Sequence, residues 1–454
     1  MAATRPHYGG TLRVAMQSAP NTLELPAYSS PAGYWDMARV LSLIGDTLVK
    51  TDAQGRPQPA LAAAWQCDST AHRCQFTLQR GVKFHDGTPA SAAAVAQILG
   101  VLHPEWIVRA AGGTAGADSL TIDSLTAGAL NISALNVSAL TGAESSAPSL
   151  LAELALPRNL ILTHNATGLP IGTGPFYIAD FQPAKSLKLT ASEDCWSGRP
   201  FVDQVGIEFG KSLRDQALAL DLGRADIVEA APQAANTSPR IQTTLPIELM
   251  ALVFPANSKA QDIHLRQALA LSIDRKPIQT VLLKGAAEAA GSILPNWMTG
   301  YSAAFSTQPD LQRAKALLAE SRQPALTLSY DARDPQAQLI AERIALNARE
   351  AGITLLVSLS GTEDLQLVRI ALPSADAALT LRETGRQLGL SQPILHSNTV
   401  EDLYQAEQTL LDGSKVIPLF HLPVASASGA RVRRHFSDPL GAWNLQEIWL
   451  EDSR

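Results

Sequence analysis

The chain alternates amphipathic stretches with short apolar runs. Val40, Leu41, Ile44 and Leu48 fall near helical spacing and predict a helix from Asp36 to Leu48. The Ala-rich stretch from Ala90 to Leu102 predicts a second, and Arg214 to Leu222 a third, ended by Gly223. Leu265, Ala268, Leu269 and Ser272 share one face of a helix that opens at Asp262, a natural N-cap. Leu311 to Ala319, preceded by Pro309-Asp310, is another. In the unit from Asp334 to Leu359, Asp334 caps, Pro335 takes the first helical position, and Ile340, Ile344 and Ala348 recur every four residues. Gly352 then stops the helix, and Ile353 to Leu359 reads as a buried strand. Strands are also predicted at Leu12 to Met16, Leu187 to Thr190, Val205 to Phe209 and Val416 to Leu422. Helix, glycine and strand in succession belong to an α/β fold with a largely parallel sheet.

One segment breaks this pattern. Leu120, Leu125, Leu130, Leu135 and Leu140 recur at a strict five-residue period, loosely like a pentapeptide repeat. Five units make little more than one coil, short of a stable solenoid. A strand-rich insertion packed on the first part of the chain is the preferred reading of residues 118–143.

Length and charge narrow the classes. At 454 residues, two or three lobes are expected rather than one core. The formal charge is -6 and no block of Lys or Arg forms a phosphate-binding face, so no nucleic-acid partner is expected. The densest basic cluster, Arg431, Arg433 and Arg434, reads as a solvated strand edge. No stretch of 18 apolar residues is present to span a bilayer. A signal sequence is not present in this chain, and Met1-Ala2-Ala3 reads as a start placed on a mature chain, which weighs little against export.

Of three cysteines, Cys67 and Cys74 flank a polar turn of a predicted β-hairpin that sets them opposite each other. In an oxidising compartment they form a disulfide; the alternative is two half-buried thiols. Cys195 stands alone and reads as a packing residue. No catalytic signature is found: no Cys-x-x-Cys, His-Glu-x-x-His, Gly-x-Ser-x-Gly or phosphate-binding loop. The nine histidines are scattered singly, so neither a metal nor a cofactor is expected.

Three motifs stand in a fixed order. They are Phe84-His85-Asp86-Gly87-Thr88-Pro89, then Gly172-Thr173-Gly174-Pro175-Phe176, then the stretch from Leu265-Arg266-Gln267-Ala268 to Ser272-Ile273-Asp274-Arg275. Locally the first is a turn leading into a helix, where His85 and Asp86 read as solvated or capping. The second suits a tight turn close to backbone or ligand. Together they resemble the family 5 extracellular solute-binding proteins, the peptide, nickel and opine receptors of bacterial ABC importers. Gly9 to Ala15, Pro59 to Trp65, Asp310 to Leu318, Gly352-Ile353-Thr354 and Val416 to His421 extend the resemblance along most of the chain.

The resemblance implies an α/β, two-lobed periplasmic-binding-protein-like fold with mixed sheets, a two-strand hinge and an extra subdomain in the first lobe. On that reading the first lobe covers residues 1–251 with a subdomain at about 46–165. The second covers 252–422, abbreviated around 361–400, and 423–454 returns to the first lobe. Leu252 to Pro255 and Pro418 to Leu422 would form the hinge.

The implied function is capture of a short peptide or similar small solute between the lobes, without turnover. The partner would be a membrane ABC permease, and the protein would be a periplasmic or otherwise extracytoplasmic, membrane-associated monomer. Candidate ligand contacts are Tyr28, Tyr34 and Trp35 in the first lobe and Trp297 in the second, each with ordinary packing as the alternative. Beyond Asp376-Ala377-Ala378-Leu379, which matches a family strand, the usual Trp and acid are missing. Arg382 and Glu383 stand there as the candidate carboxylate-binding and amine-binding groups. His421, beside the second hinge strand, is a further candidate, with a packed histidine as the alternative. The competing function is a degenerate scaffold repurposed for protein–protein interaction. An enzyme ranks third, because no catalytic constellation supports it.

Overall fold

The computed structural model describes residues 6–451, apart from 26–32, 53, 69–72, 112–117, 125–146, 237, 302–304, 320–323, 333, 335, 360–362, 392–394, 396–398 and 435–436. In chain order its main elements open with β1 (Thr11–Ala15), α1 (Tyr34–Leu41), β2 (Ala62–Asp68), β3 (Arg73–Leu78) and α2 (Ala92–Leu102). There follow β4 (Trp106–Ala111), β5 (Ser119–Ser124), β6 (Phe176–Gln182), β7 (Ser186–Ala191), β8 (Gln204–Glu208) and α3 (Leu213–Asp221). Next come β9 (Ile227–Ala230), β10 (Ile241–Val253), α4 (Ile263–Ser272), α5 (Asn296–Thr299), α6 (Leu311–Leu318), β11 (Leu326–Tyr330) and α7 (Ala337–Ala351). The chain ends through β12 (Leu355–Ser358), β13 (Leu365–Ala371), α8 (Ala377–Gln387), α9 (Val400–Leu411) and β14 (Val416–Ser428).

The chain divides into two compact units. One takes Met1–Thr244, Ser374–Leu379 and Ala425–Arg454; the other takes Leu245–Pro373 and Thr380–Val424. Two of the boundaries fall inside β10 and β14.

In the first unit the sheet runs β6-β7-β8-β1-β9, and Ala425 to Ser428 of β14 continue it antiparallel to β9. β1 pairs parallel with β8 on one side and β9 on the other. Leu12 and Val14 bury against Met37, Val40 and Leu41 of α1. A second core lies under the antiparallel sheet β2-β3-β5-β4, where Phe76, Leu120 and Ile122 meet Val95 and Leu99 of α2. Cys67 pairs with Cys74 across the β2–β3 hairpin, and the two form a disulfide. Leu120 of the five-residue repeat is fully buried in β5; residues 125–143 of that repeat lie outside the described residues.

α1 is shorter than its periodicity predicts. It stops at Leu41 because the chain then leaves the helix: the Ile44 carbonyl accepts from Gly174 N (2.8 Å) and the Leu43 carbonyl from Phe176 N (3.0 Å). The basic cluster is the solvated edge expected at Arg433 and Arg434, 39% and 53% exposed, but not at Arg431. Arg431 reaches the buried Asp226 at 3.1 Å, Arg433 pairs with Glu451, and Arg434 pairs with Glu447.

In the second unit β11 pairs parallel with β12 and β13, and β13 pairs antiparallel with β10. Leu265, Ala268 and Leu269 of α4 and Ile340, Ile344 and Ala348 of α7 cover Leu326 and Leu328. Asp262 and Asp310 cap as their types require, accepting from His264 N and Arg313 N. Gly352, at φ 102°, ends α7 in the left-handed conformation that a side chain would strain. The start of α7 lies later than the sequence predicts: Gln336 is its N-cap, and Asp334 accepts from Gln336 N at 2.9 Å in the preceding turn. Pro335 lies outside the described residues.

The stretch from Asp376 is not a strand. Asp376 Oδ1 accepts from Leu379 N at 2.8 Å, an N-terminal helix cap, and α8 follows. The preceding strand is β13. Ala-Ala-Leu-Thr-Leu suits either element by composition, and the aspartate cap decides for the helix.

Candidate functional site

The first two sequence motifs meet each other in the first unit. His85 N donates to Gly172 O at 2.9 Å, and His85 Nε2 donates to Gly174 O at the same distance. A Cβ on Gly172 would stand 2.2 Å from Ile44 O, and one on Gly174 would stand 2.7 Å from Ile44 C. Glycine is therefore required by the backbone of Ile44, not by a ligand. Thr173 Oγ1 (2.8 Å) and Trp196 Nε1 (3.0 Å) donate to Asp46, whose carboxyl burial pushes above the usual range. Burial lowers His85 from its ordinary value. Asp86 accepts from both the backbone and the hydroxyl of Thr88.

The third motif is equally structural. Arg266 donates to the carbonyls of Ala260 (2.7 Å), Gln261 (2.8 Å) and Gly413 (3.0 Å). Arg275, buried and lowered to about 10 by desolvation, donates to Pro418 O at 2.8 Å. All three motifs buttress backbone.

A cluster of titratable side chains lies elsewhere in the first unit, at the carboxyl ends of β1 and β9. β1 pairs parallel with β8 and β9, and open α/β sheets receive ligands outside the carboxyl ends of such strands. Glu229, at the end of β9, accepts from Gln17 N (2.6 Å) and from Gln216 Nε2 (2.8 Å). Gln216, fully buried on α3, also accepts from Glu229 N at 2.8 Å and so fixes the carboxylate. Burial and the nearby Asp36 push Glu229 well above the usual carboxylate range. Asp36 pairs with Arg39 at 3.5 Å, and Arg39 donates to Gly441 O at 2.9 Å. Tyr34 and Trp35 open the same helix turn, their rings edge to face at 5.7 Å. Tyr34 is buried and Trp35 half-buried. Tyr28 lies outside the described residues.

In the second unit, Trp297 lies on α5 and its Nε1 donates to Pro246 O at 2.8 Å, leaving the half-buried ring as its remaining surface. His421 is buried on β14, and its Nε2 donates to Ile293 O at 3.0 Å. Burial depresses it to about 4. It anchors the loop leading to Trp297. Arg382 and Glu383 are neighbours on α8, where successive side chains diverge by about 100° and do not share a face. Glu383 is 1% exposed, with Arg386 Nη1 at 3.3 Å, while Arg382 is half-buried. The structure therefore does not bring Arg382 and Glu383 together as one binding pair.

The sequence pattern of the bacterial extracellular solute-binding proteins, family 5 (middle), matches residues 56–376. The chain belongs to this family. The nickel-binding protein NikA of Staphylococcus aureus is 24% identical over 343 residues, 71% of this chain and 65% of that protein. The peptide transport periplasmic protein SapA of Salmonella typhimurium is 28% identical over 207 residues, 41% of this chain and 37% of that protein. The matched part thus spans less than two thirds of these relatives' own lengths.

Among solved structures, S. aureus NikA with Ni(L-His)2 superposes with TM-score 0.78 at 16% identity, covering 97% of this chain and 100% of that one. DppA from Helicobacter pylori with the peptide STSA gives TM-score 0.77 at 16% identity, covering 98% and 99%. The fold is that of the two-lobed periplasmic binding proteins.

In this solute-binding protein the residues that carry the family signal are the buttresses of each unit. Glu229, Gln216 and Asp36 were missed from sequence. Asp226-Ile227-Val228-Glu229 held the clue, since an acid ends an apolar strand where an open sheet receives ligands.

Proposed function

We propose that this protein is the extracytoplasmic substrate-binding component of an ABC importer, capturing a short peptide or similar small solute without chemical turnover. The family match over residues 56–376 carries this reading. The NikA, SapA and DppA relatives bear names that tie them to nickel or to peptides. The Cys67–Cys74 disulfide suits an oxidising compartment. Glu229 and Asp36, close enough for the one to raise the other, form an acidic pair, and such a pair suits an amine-bearing solute such as a peptide. His85 donates to Gly174 O through Nε2 and accepts from Gly172 N at Nδ1, and His421 is buried, which argues against either as a general base.

Thermal unfolding against pools of short peptides, sugars, opines and nickel complexes tests the reading, with protein first unfolded and refolded to strip bound ligand. A ligand at about 100 times its dissociation constant adds roughly 2.7 kcal/mol, a rise of a few degrees in Tm. A flat response to every pool would overturn it in favour of a scaffold that binds a partner protein.

A further inference from the structure

In the second unit, Glu407 on α9 stands in the buried stripe of its helix and reaches a backbone turn. Oε1 accepts from the amides of both Ile293 and Leu294, the latter at 2.8 Å, and Oε2 lies 2.6 Å from the hydroxyl of Tyr301. The same loop is held from β14 by His421 on Ile293 O, and Trp297 lies on it, its indole tied to Pro246 O. Glu407 is fully buried and makes no ion pair with Lys or Arg among the described residues. The titratable groups around it are Tyr301 and Tyr404, whose rings meet at 5.6 Å, and His421 with the exposed Glu288 opposite it in register. On α8, packed through Gly385 against Leu410, stand Arg382, Glu383 and Arg386; Glu401 and Asp402 lie in the first turn of α9.

We propose that Glu407 is a proton-linked positioning residue, which holds the 292–301 loop most firmly when its carboxyl group carries a proton. The geometry accommodates the acid with one bond reversed. Oε1 keeps both amides, and a proton on Oε2 points at Tyr301 Oη across the same 2.6 Å. The ionised form keeps the contacts but buries a charge with no cation beside it, which is costly. Consistent with this, burial pushes Glu407 up to about 7. With the loop displaced, the carboxyl meets water and returns toward its ordinary 4.5. The raised value belongs to the seated loop, so seating is strongest below about 4.5 and is lost as the pH rises to about 7. Acidification therefore fastens the Trp297 loop and neutral pH loosens it. That the loop meets solute rests on the proposed function; the coupling itself does not.

Amide hydrogen exchange at Ile293 and Leu294, corrected for the intrinsic pH dependence of exchange, tests the coupling without any solute. Wild-type protection should fall by about twentyfold between pH 5.5 and 7.5, while amides in the core helix α7 keep theirs. Glu407→Gln, neutral at every pH, should abolish the change. Should that variant not fold, Tyr301→Phe removes a donor to the ionised form and should move the transition to higher pH. Protection that is flat or rises with pH in the wild type overturns the proposal, as does a Gln variant with the wild-type slope. So does a Phe variant whose transition stays in place. Failure to bind any solute would count against the proposed function alone.

Discussion

His85 Nε2 lies 2.9 Å from the carbonyl oxygen of Gly174, across 89 residues of chain, and with the bond from His85 N to Gly172 O it ties the first sequence motif to the second. The glycine is needed because Ile44 passes behind it, with Ile44 C only 2.7 Å from where a Cβ would stand. Gly174→Ala should therefore cost about 1–3 kcal/mol, since the clash is with backbone that cannot swing aside. Gly100→Ala on α2 is the control: nothing lies within 4 Å of its Cβ position, and helix propensity should raise stability by about 0.5–1 kcal/mol. Urea midpoints of the two variants check this, and equal effects would refute the crowding argument.

Arg266 is the keystone of the third motif. Its guanidinium satisfies three backbone carbonyls, two at residues 260–261 and one at Gly413. Lys offers a single ammonium and cannot span that geometry. Arg266→Lys should lose about 2–3 kcal/mol, because at least one buried carbonyl is left without a donor. Arg313→Lys, on the solvent side of α6, should change stability by less than about 0.5 kcal/mol. Comparable losses in both would show that Arg266 does no more than a surface residue.

These cases mark what was legible from sequence. The three motifs could be read because the contacts they serve are backbone contacts, which only particular residue types satisfy: no Cβ at 172 and 174, a forked donor at 266. Helix limits set by local caps, at Asp262, Asp310 and Gly352, were legible for the same reason. Features fixed by distant chain were not. α1 ends where Gly174 takes the Ile44 carbonyl, and Arg431 finds Asp226 some 205 residues away. Arg382 and Glu383 are adjacent in sequence, and only the helix that Asp376 caps turns their side chains to different faces. Glu407 did leave a trace: it follows Leu403 by four and precedes Leu410 by three, an acid on the apolar stripe of its helix.

The Cys67–Cys74 disulfide closes a short loop, with a sequence separation of 7. The chain-entropy relation gives about 2 kcal/mol for a loop of that size. Reduction with dithiothreitol, or the double replacement of Cys67 and Cys74 by Ser, should lower Tm by a few degrees without loss of the remaining fold. Cys195, half-buried beside Ser197, should contribute nothing to that shift, so Cys195→Ser keeps the wild-type response to reductant. A Tm indifferent to reductant in the wild type would mean the bond contributes no stability.

His421 gives the protein an acid-sensitive element opposite in sign to Glu407. Its imidazole is neutral in the fold, donating to Ile293 O, and burial depresses it to about 4 from an ordinary 6.5. An unfolded chain takes up a proton below 6.5 that the folded chain refuses. The stability contributed is therefore complete above 6.5 and lost progressively as the pH falls to 4, by about 3 kcal/mol in all. Glu407 and Glu229, raised rather than lowered, gain stability over much of the same range, so the wild-type profile alone hides the effect. The difference between wild type and His421→Gln exposes it, since the amide can still donate to Ile293 O but cannot take up a proton. Urea midpoints at pH 7.5 and 4.5 should show the variant relatively stabilised in acid, and parallel profiles would refute a neutral buried imidazole.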